Sequence, residues 1–412
     1  MPTSQHTFEL SNGLQCVFIP NRSAVGHIAV AVRAGSRDEL THQQGLAHFI
    51  EHNLFKGTAN RKAYHILSRL DDVGGELNAY TTKEETLFHA SFLKRDLRRA
   101  ADLLADVLFR STFPERELAK EKTVIRDEIA SYKDSPQDRI FDDFEELVFE
   151  GDPIGRNILG TPESVDGLNR EEILEFQART YSRERLKIAL TGPFTLERAQ
   201  RTLEEQFGVI EIHESQWSVA FDAPLNPREL SSPEAQYQDH LMLGWRTPGL
   251  HDERRRALLL LNNVLGGPAM NSRLGMTLRE RHGIAYNIES YLNLYSDVGL
   301  LGIYLGCDPS QTNKARALVE KELELLRNKP LGTLQLSKAK NQFLGQMALS
   351  EEHGLNAAIG AARALLHFGR VQSFEDVAKH ISALTASELQ ESAREFLQPQ
   401  WVYALTFTKE EE

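Results

Sequence analysis

The chain opens with apolar and polar residues alternating at period two. Thr7-Phe8-Glu9-Leu10 and Leu14-Gln15-Cys16-Val17-Phe18-Ile19 flank Ser11-Asn12-Gly13. Asn-Gly between two such runs predicts a β-hairpin. A further strand is expected at His27-Ile28-Ala29-Val30-Ala31-Val32. Helical spacing then recurs near 43–56, 61–73, 94–110, 114–134 and 136–149. Between the second and third of these, 75–82 and 86–92 alternate again and predict paired strands. A helix near 169–180 and a strand at 186–190 complete this half.

From about 208 to 234 the pattern breaks. Trp217-Ser218-Val219, Ala223-Pro224-Leu225-Asn226-Pro227 and Ser231-Ser232-Pro233 mark a connector. The order of elements then repeats. A strand at 240–246 leads to helices near 251–265 and 271–282, strands at 285–294 and 299–307, and long helices near 309–328 and 332–366. The segment from Trp401 to Phe407 reads as a last strand. Strands grouped with strands predict an α+β fold of two related domains, each a mainly antiparallel sheet packed with helices. The expected boundaries are 1–207, a connector at 208–234, and 235–412.

Composition narrows the function classes. The 412 residues carry 41% hydrophobic and 26% charged residues, ordinary for a globular protein with sizeable cores. The net charge of −12 argues against nucleic acid as the main partner, which needs a concentrated basic surface. No stretch approaches the roughly 20 apolar residues that span a bilayer, and the N-terminus lacks a signal-peptide pattern. Two distant cysteines, Cys16 and Cys307, form no framework and suit a reducing compartment. The expectation is a soluble cytoplasmic protein.

The strongest chemical signal is Gly45-Leu46-Ala47-His48-Phe49-Ile50-Glu51-His52-Asn53-Leu54-Phe55. On a helix, His48 and His52 project from one face one turn apart, which lets two imidazoles grip one zinc ion. Glu51 stands beside them, able to reach a metal-bound water without being a ligand. The motif is H-x-x-E-H, the inverse of the commoner H-E-x-x-H. Such a motif arises by chance in roughly a few per cent of chains of this make-up. Leu46, Ile50, Leu54 and Phe55, however, make the helix too apolar to lie on a solvated face.

A catalytic zinc takes three protein ligands and leaves one position for water. The helix around Lys120–Ile129 offers Glu121 and Glu128, seven apart and so on one face, with Asp127 a weaker contender. Val124, Ile125 and Ile129 supply its apolar side. Spacing does not choose between the two glutamates.

The residues resemble the inverzincins, the pitrilysin and mitochondrial-processing-peptidase family of zinc peptidases. The likeness covers H-x-x-E-H with a glutamate 76 positions later, Phe55-Lys56-Gly57-Thr58, Gly74-Gly75-Glu76-Leu77-Asn78-Ala79-Tyr80-Thr81 and Gly155-Arg156-Asn157-Ile158-Leu159-Gly160-Thr161. It continues through Ser272-Arg273-Leu274 and Arg279-Glu280-Arg281-His282-Gly283-Ile284-Ala285-Tyr286. The resemblance implies His48, His52 and Glu128 as ligands of one Zn2+ per chain. It implies Glu51 as base, Glu121 as a supporting carboxylate, and Arg279 and Tyr286 as a pair that holds substrate and oxyanion. Asn78 and Ala79 would lie on a strand edge that takes up an extended peptide by β-augmentation. On residues alone, Arg279 reads as a helix-surface residue and Tyr286 as a buried strand tyrosine.

One departure is Gly266-Gly267-Pro268-Ala269-Met270, where the proline stiffens a loop that is glycine-rich in the family. The second half has no H-x-x-E-H; its analogous helix reads Leu258-Leu259-Leu260-Leu261-Asn262-Asn263. A chain of this length resembles half of a clam-shell chamber. A homodimer that encloses peptide substrates is therefore expected, with a heteromeric partner as the other option. The implied reaction is endoproteolysis. A non-catalytic partner or assembly subunit is the alternative, and a zinc hydrolase of other small molecules has no specific support. Manganese or cobalt could replace zinc in the cell.

Overall fold

The computed structural model describes residues 5–235 and 237–409. It contains two compact units, each built on one sheet. The first comprises Met1–Ile129, Arg156–Val219 and Leu349–Gln372; the second comprises Ala130–Gly155, Ala220–Ala348 and Ser373–Glu412.

In the first unit, β1 (His6–Glu9), β2 (Gln15–Pro20), β3 (Val25–Val32), β4 (Glu76–Thr81), β5 (Thr86–Leu93) and β6 (Leu186–Gly192) stand in the order β1-β2-β6-β3-β5-β4. All pairings are antiparallel except β2 with β6. The period-two patterns become two buried faces. Phe18, Ile28, Val30, Phe88, Ile188 and Leu190 point to a core shared with the helices Leu46–Leu54, Leu97–Arg110 and Glu115–Lys133. Val17, Ala29, Ala31, Leu87 and Ala189 point the other way, against Ala358, Ala361, Ala362 and Leu365 of the helix Gly354–Phe368. Small residues on both sides let that helix lie close to the sheet.

The second unit mirrors this plan. Its strands are β7 (Glu229–Ala235), β8 (Asp239–Pro248), β9 (Ala285–Leu294), β10 (Val298–Cys307) and β11 (Tyr403–Lys409), in the order β7-β11-β8-β10-β9. One face carries Leu241, Leu243, Leu301 and Ile303 onto Leu258, Leu261 and Leu265 of the helix Arg255–Gly266. The opposite face carries Met242, Leu300, Tyr403 and Phe407 onto Ile140, Phe144 and Val148 of the helix Pro136–Val148. Gly244 makes room there: a Cβ on it would fall 2.7 Å from the Phe144 ring. Each sheet is thus closed on one side by a helix encoded beyond the linear boundary at 208–234.

The α+β class and mainly antiparallel sheets are as expected. Four local readings change. The end of the connector, Glu229–Ala235, is strand β7 rather than irregular chain. It lies at a sheet edge, and Pro233 falls where its pairing with β11 shifts register, a position that tolerates proline. The predicted helix at 271–282 is a π-helical turn, Gly275–Arg281. The predicted helix at 332–366 is two helices, Thr333–Glu351 and Gly354–Phe368, interrupted at Glu352-His353. Val124 is 48% exposed, so Ile125 and Ile129 alone anchor that stretch of its helix. Both cysteines are free and buried. Among the described residues, no helix is long and apolar enough to cross a membrane.

Candidate metal centre

The nine-residue helix Leu46–Leu54 inserts Leu46, Phe49, Ile50 and Leu54 fully into the first core. Burying each such side chain stabilises by about 1.5–3 kcal/mol. The apolar stripe holds the opposite stripe, His48, Glu51 and His52, against the end of strand β4. His48 is buried; Glu51 and His52 are half-buried.

The helix Glu115–Lys133 brings Glu128 to the two imidazoles. Its Oε2 lies 3.8 Å from His48 Nε2 and 3.8 Å from His52 Nε2. These distances are too long for hydrogen bonds. They are close to the roughly 3.4 Å edge of a tetrahedron built with 2.0–2.2 Å metal bonds. His48, His52 and Glu128 are the group of donors among the described residues that could hold a metal ion. Burial, with His52 alongside, lowers the His48 pKa to about 4, so its imidazole is neutral at pH 7 with a lone pair to offer. The residues fit a zinc ion.

Glu121, on the same helix face, addresses the other side of His52. Its Oε2 lies 3.1 Å from His52 Nδ1, and its Oε1 lies 2.7 Å from Lys56 Nζ. A carboxylate on Nδ1 fixes the ring and leaves Nε2 directed at Glu128. The two glutamates that spacing could not separate therefore meet different nitrogens. Asp127 is exposed and outside the group. His48 differs from His52: its Nδ1 is buried without a hydrogen-bond partner.

Glu51 stands outside the group of three donors. Its Oε2 accepts from Thr81 Oγ1 at 2.7 Å, at the end of β4. Burial raises its pKa above the usual carboxylate value, partly offset by that bond. Thr81 has no standing in the motif. Its signal was the alternation Leu77, Ala79, Thr81, which puts all three on the face that meets the helix.

Strand β4 is one of the two edges of its sheet. Ala79 packs toward the core, whereas Asn78 lies exposed on the opposite face. The Ala79 amide donates to its neighbour Asn78 Oδ1 at 2.8 Å.

Arg279 and Tyr286 belong to the second unit. Arg279 lies in the π-helical turn and donates from Nε to Glu280 Oε1 at 3.0 Å. Tyr286 begins edge strand β9 and is 83% exposed, not the buried strand tyrosine that its residue context alone suggests.

Comparison with known proteins decides the family. Residues 17–162 match the model of the insulinase family, peptidase family M16, and residues 167–343 match that of the peptidase M16 inactive domain. The chain belongs to peptidase family M16. It is 31% identical over 401 residues to the uncharacterized zinc protease YmxG of Bacillus subtilis, covering 97% of each chain. It is 33% identical over 402 residues to the uncharacterized zinc protease Rv2782c of Mycobacterium tuberculosis, covering 94% of this chain and 90% of the other. The M16 fold is equally plain in solved structures. A protease from Helicobacter pylori superposes with a TM-score of 0.89 at 20% identity, over 99% of this chain and 100% of that one. An M16-like peptidase from Alicyclobacillus acidocaldarius gives 0.88 at 20% identity, over 100% and 99%.

Proposed function

We propose that the chain is a zinc-dependent endopeptidase, with His48, His52 and Glu128 holding the metal and Glu51 as the base. The observation that carries this reading is the convergence of His48 Nε2, His52 Nε2 and Glu128 Oε2 beside a half-buried Glu51. Membership of M16 and relatives named zinc proteases support it. When bound, zinc supplies a Lewis acid and lowers the pKa of its water from 15.7 toward about 7. Glu51 takes up the proton of the attacking water and passes it to the leaving amine. Thr81 holds the Glu51 carboxylate in place, and Glu121 with Lys56 holds His52.

The reading extends to the expected partners. Asn78 and Ala79 lie on an edge strand that suits an extended peptide. Arg279 and the exposed Tyr286 serve substrate and oxyanion binding. A second copy of the chain completes the chamber, which size-exclusion chromatography of the purified protein tests by its apparent mass.

The decisive experiment is elemental analysis with a quenched-peptide assay on two variants. Glu51→Gln retains zinc and loses cleavage; Glu128→Gln loses zinc. Full activity in Glu51→Gln would sink the mechanism. Bound zinc with no turnover of any peptide in a library would favour a non-catalytic role.

A further inference from the structure

The segment from Arg156 to Ser164 has no part in the chemistry above, yet it is bound to the start of the metal-motif helix. Glu39 is buried beneath that start. Its Oε2 accepts from the Gly45 amide at 3.0 Å and its Oε1 from the Ala47 amide at 2.8 Å. The first turn of a helix has amides with no partner inside the helix, and Gly45 has no side chain to cap them. Glu39 caps them from outside.

The loop Arg156–Ser164 locks this cap in place. Gly45 has φ +88°, and a Cβ on it would fall 2.6 Å from the Leu159 carbonyl oxygen. Gly160 has φ +73°, and a Cβ there would fall 2.5 Å from the Gln44 carbonyl oxygen. The two turns lie back to back with no room for a side chain on either. Ser164 Oγ donates to the Gln44 carbonyl at 2.8 Å, and Arg156 Nη1 donates to the Glu39 carbonyl at 3.0 Å.

His48 follows Ala47 directly, and its ring lacks the hydrogen bond that Glu121 gives His52. The position of its Nε2 therefore depends on where the backbone of the first turn is fixed. We propose that Glu39, braced by the loop Arg156–Ser164, is the positioning residue for His48, doing through the backbone what Glu121 does for His52 through its ring. The proposal rests on the metal reading above.

The test is zinc affinity of the full chain, by competition with a chromogenic chelator well below the melting temperature, with kcat and KM on one peptide. In Glu39→Gln the amide NH2 faces one of the two backbone donors, so only one of the two bonds can be kept. The expected result is zinc bound about tenfold more weakly, in the range seen for supports of metal ligands. At limiting zinc kcat falls, while KM is unchanged. A folded Glu39→Gln with the wild-type zinc Kd overturns the proposal. Should that variant not fold, Ser164→Ala and Arg156→Ala carry the test. Weaker zinc binding by a few fold in either supports the proposal, and unchanged Kd in both overturns it. A wild-type chain that binds no zinc, or zinc that survives His48→Ala, overturns the underlying metal reading instead.

Discussion

The helices Leu46–Leu54 and Arg255–Gly266 occupy equivalent places in their units. Each packs beside the edge strand of its sheet, β4 in one and β9 in the other. The first carries His48, Glu51 and His52 toward that strand; the second carries a leucine run and Asn262-Asn263. Leu258, Leu261 and Leu265 fill the second core without polar partners. The first helix holds polar groups that stay compatible with burial only because Glu39, Thr81, Glu121 and Glu128 meet them. One scaffold position thus serves as plain core in one unit and as a cluster of titratable side chains in the other. The difference is made by carboxylates on neighbouring segments, not by the helix alone.

Substitutions that interchange these two conditions test the comparison. The largest effect is expected from His48→Ala. If apparent zinc binding energies of about 10–16 kcal/mol are shared among the ligands, losing one costs roughly 3–5 kcal/mol. Isothermal titration should then show zinc bound about 10²–10⁴-fold more weakly than by the wild type, and added zinc should raise the melting temperature less. Leu261→Ala, in the other helix, should lower unfolding stability by about 2–5 kcal/mol in denaturant titration and leave the zinc stoichiometry unchanged. Loss of zinc in that variant would mean that the two units do not separate core from chemistry as described. Glu121→Gln should weaken zinc by about 10–100-fold in chelator competition, because His52 loses the partner that orients it. The smallest effect on the metal is expected from Thr81→Val, which removes one hydrogen bond to a carboxylate worth roughly 1.5–3 kcal/mol. It should lower kcat about tenfold or more while zinc content stays whole. An unchanged kcat would show that Glu51 is placed by its helix alone.

The H-x-x-E-H spacing was enough to find His48, Glu51 and His52, since a helix fixes the relation of residues three and four apart. On the helix around Lys120–Ile129, spacing offered Glu121 and Glu128 on one face, with Asp127 a weaker contender. It could not sort those two, because which imidazole nitrogen each meets depends on the crossing of two separate helices. Thr81 and Glu39 were hidden for the same reason: they act across the chain, at 30 and 8 residues from their partners. The strands followed from alternation, but β7 did not, because an edge strand tolerates the serines and proline that otherwise signal a connector. The exposure of Tyr286 also escaped residue-level reading, since a tyrosine at the start of a strand is more often covered.

The helix Gly354–Phe368, which covers one face of the first sheet, has a consequence for how the protein is made. The sheet strands β1 to β6 are all synthesised by residue 192. The helix that shields Val17, Ala29, Ala31, Leu87 and Ala189 follows only after the second sheet's strands β7 to β10 have been synthesised. At elongation speeds of about 5–20 residues per second, that apolar face stays bare for roughly 10–30 s. A nascent chain in that interval presents an unfinished surface to chaperones. A fragment ending at the connector would keep that surface for good.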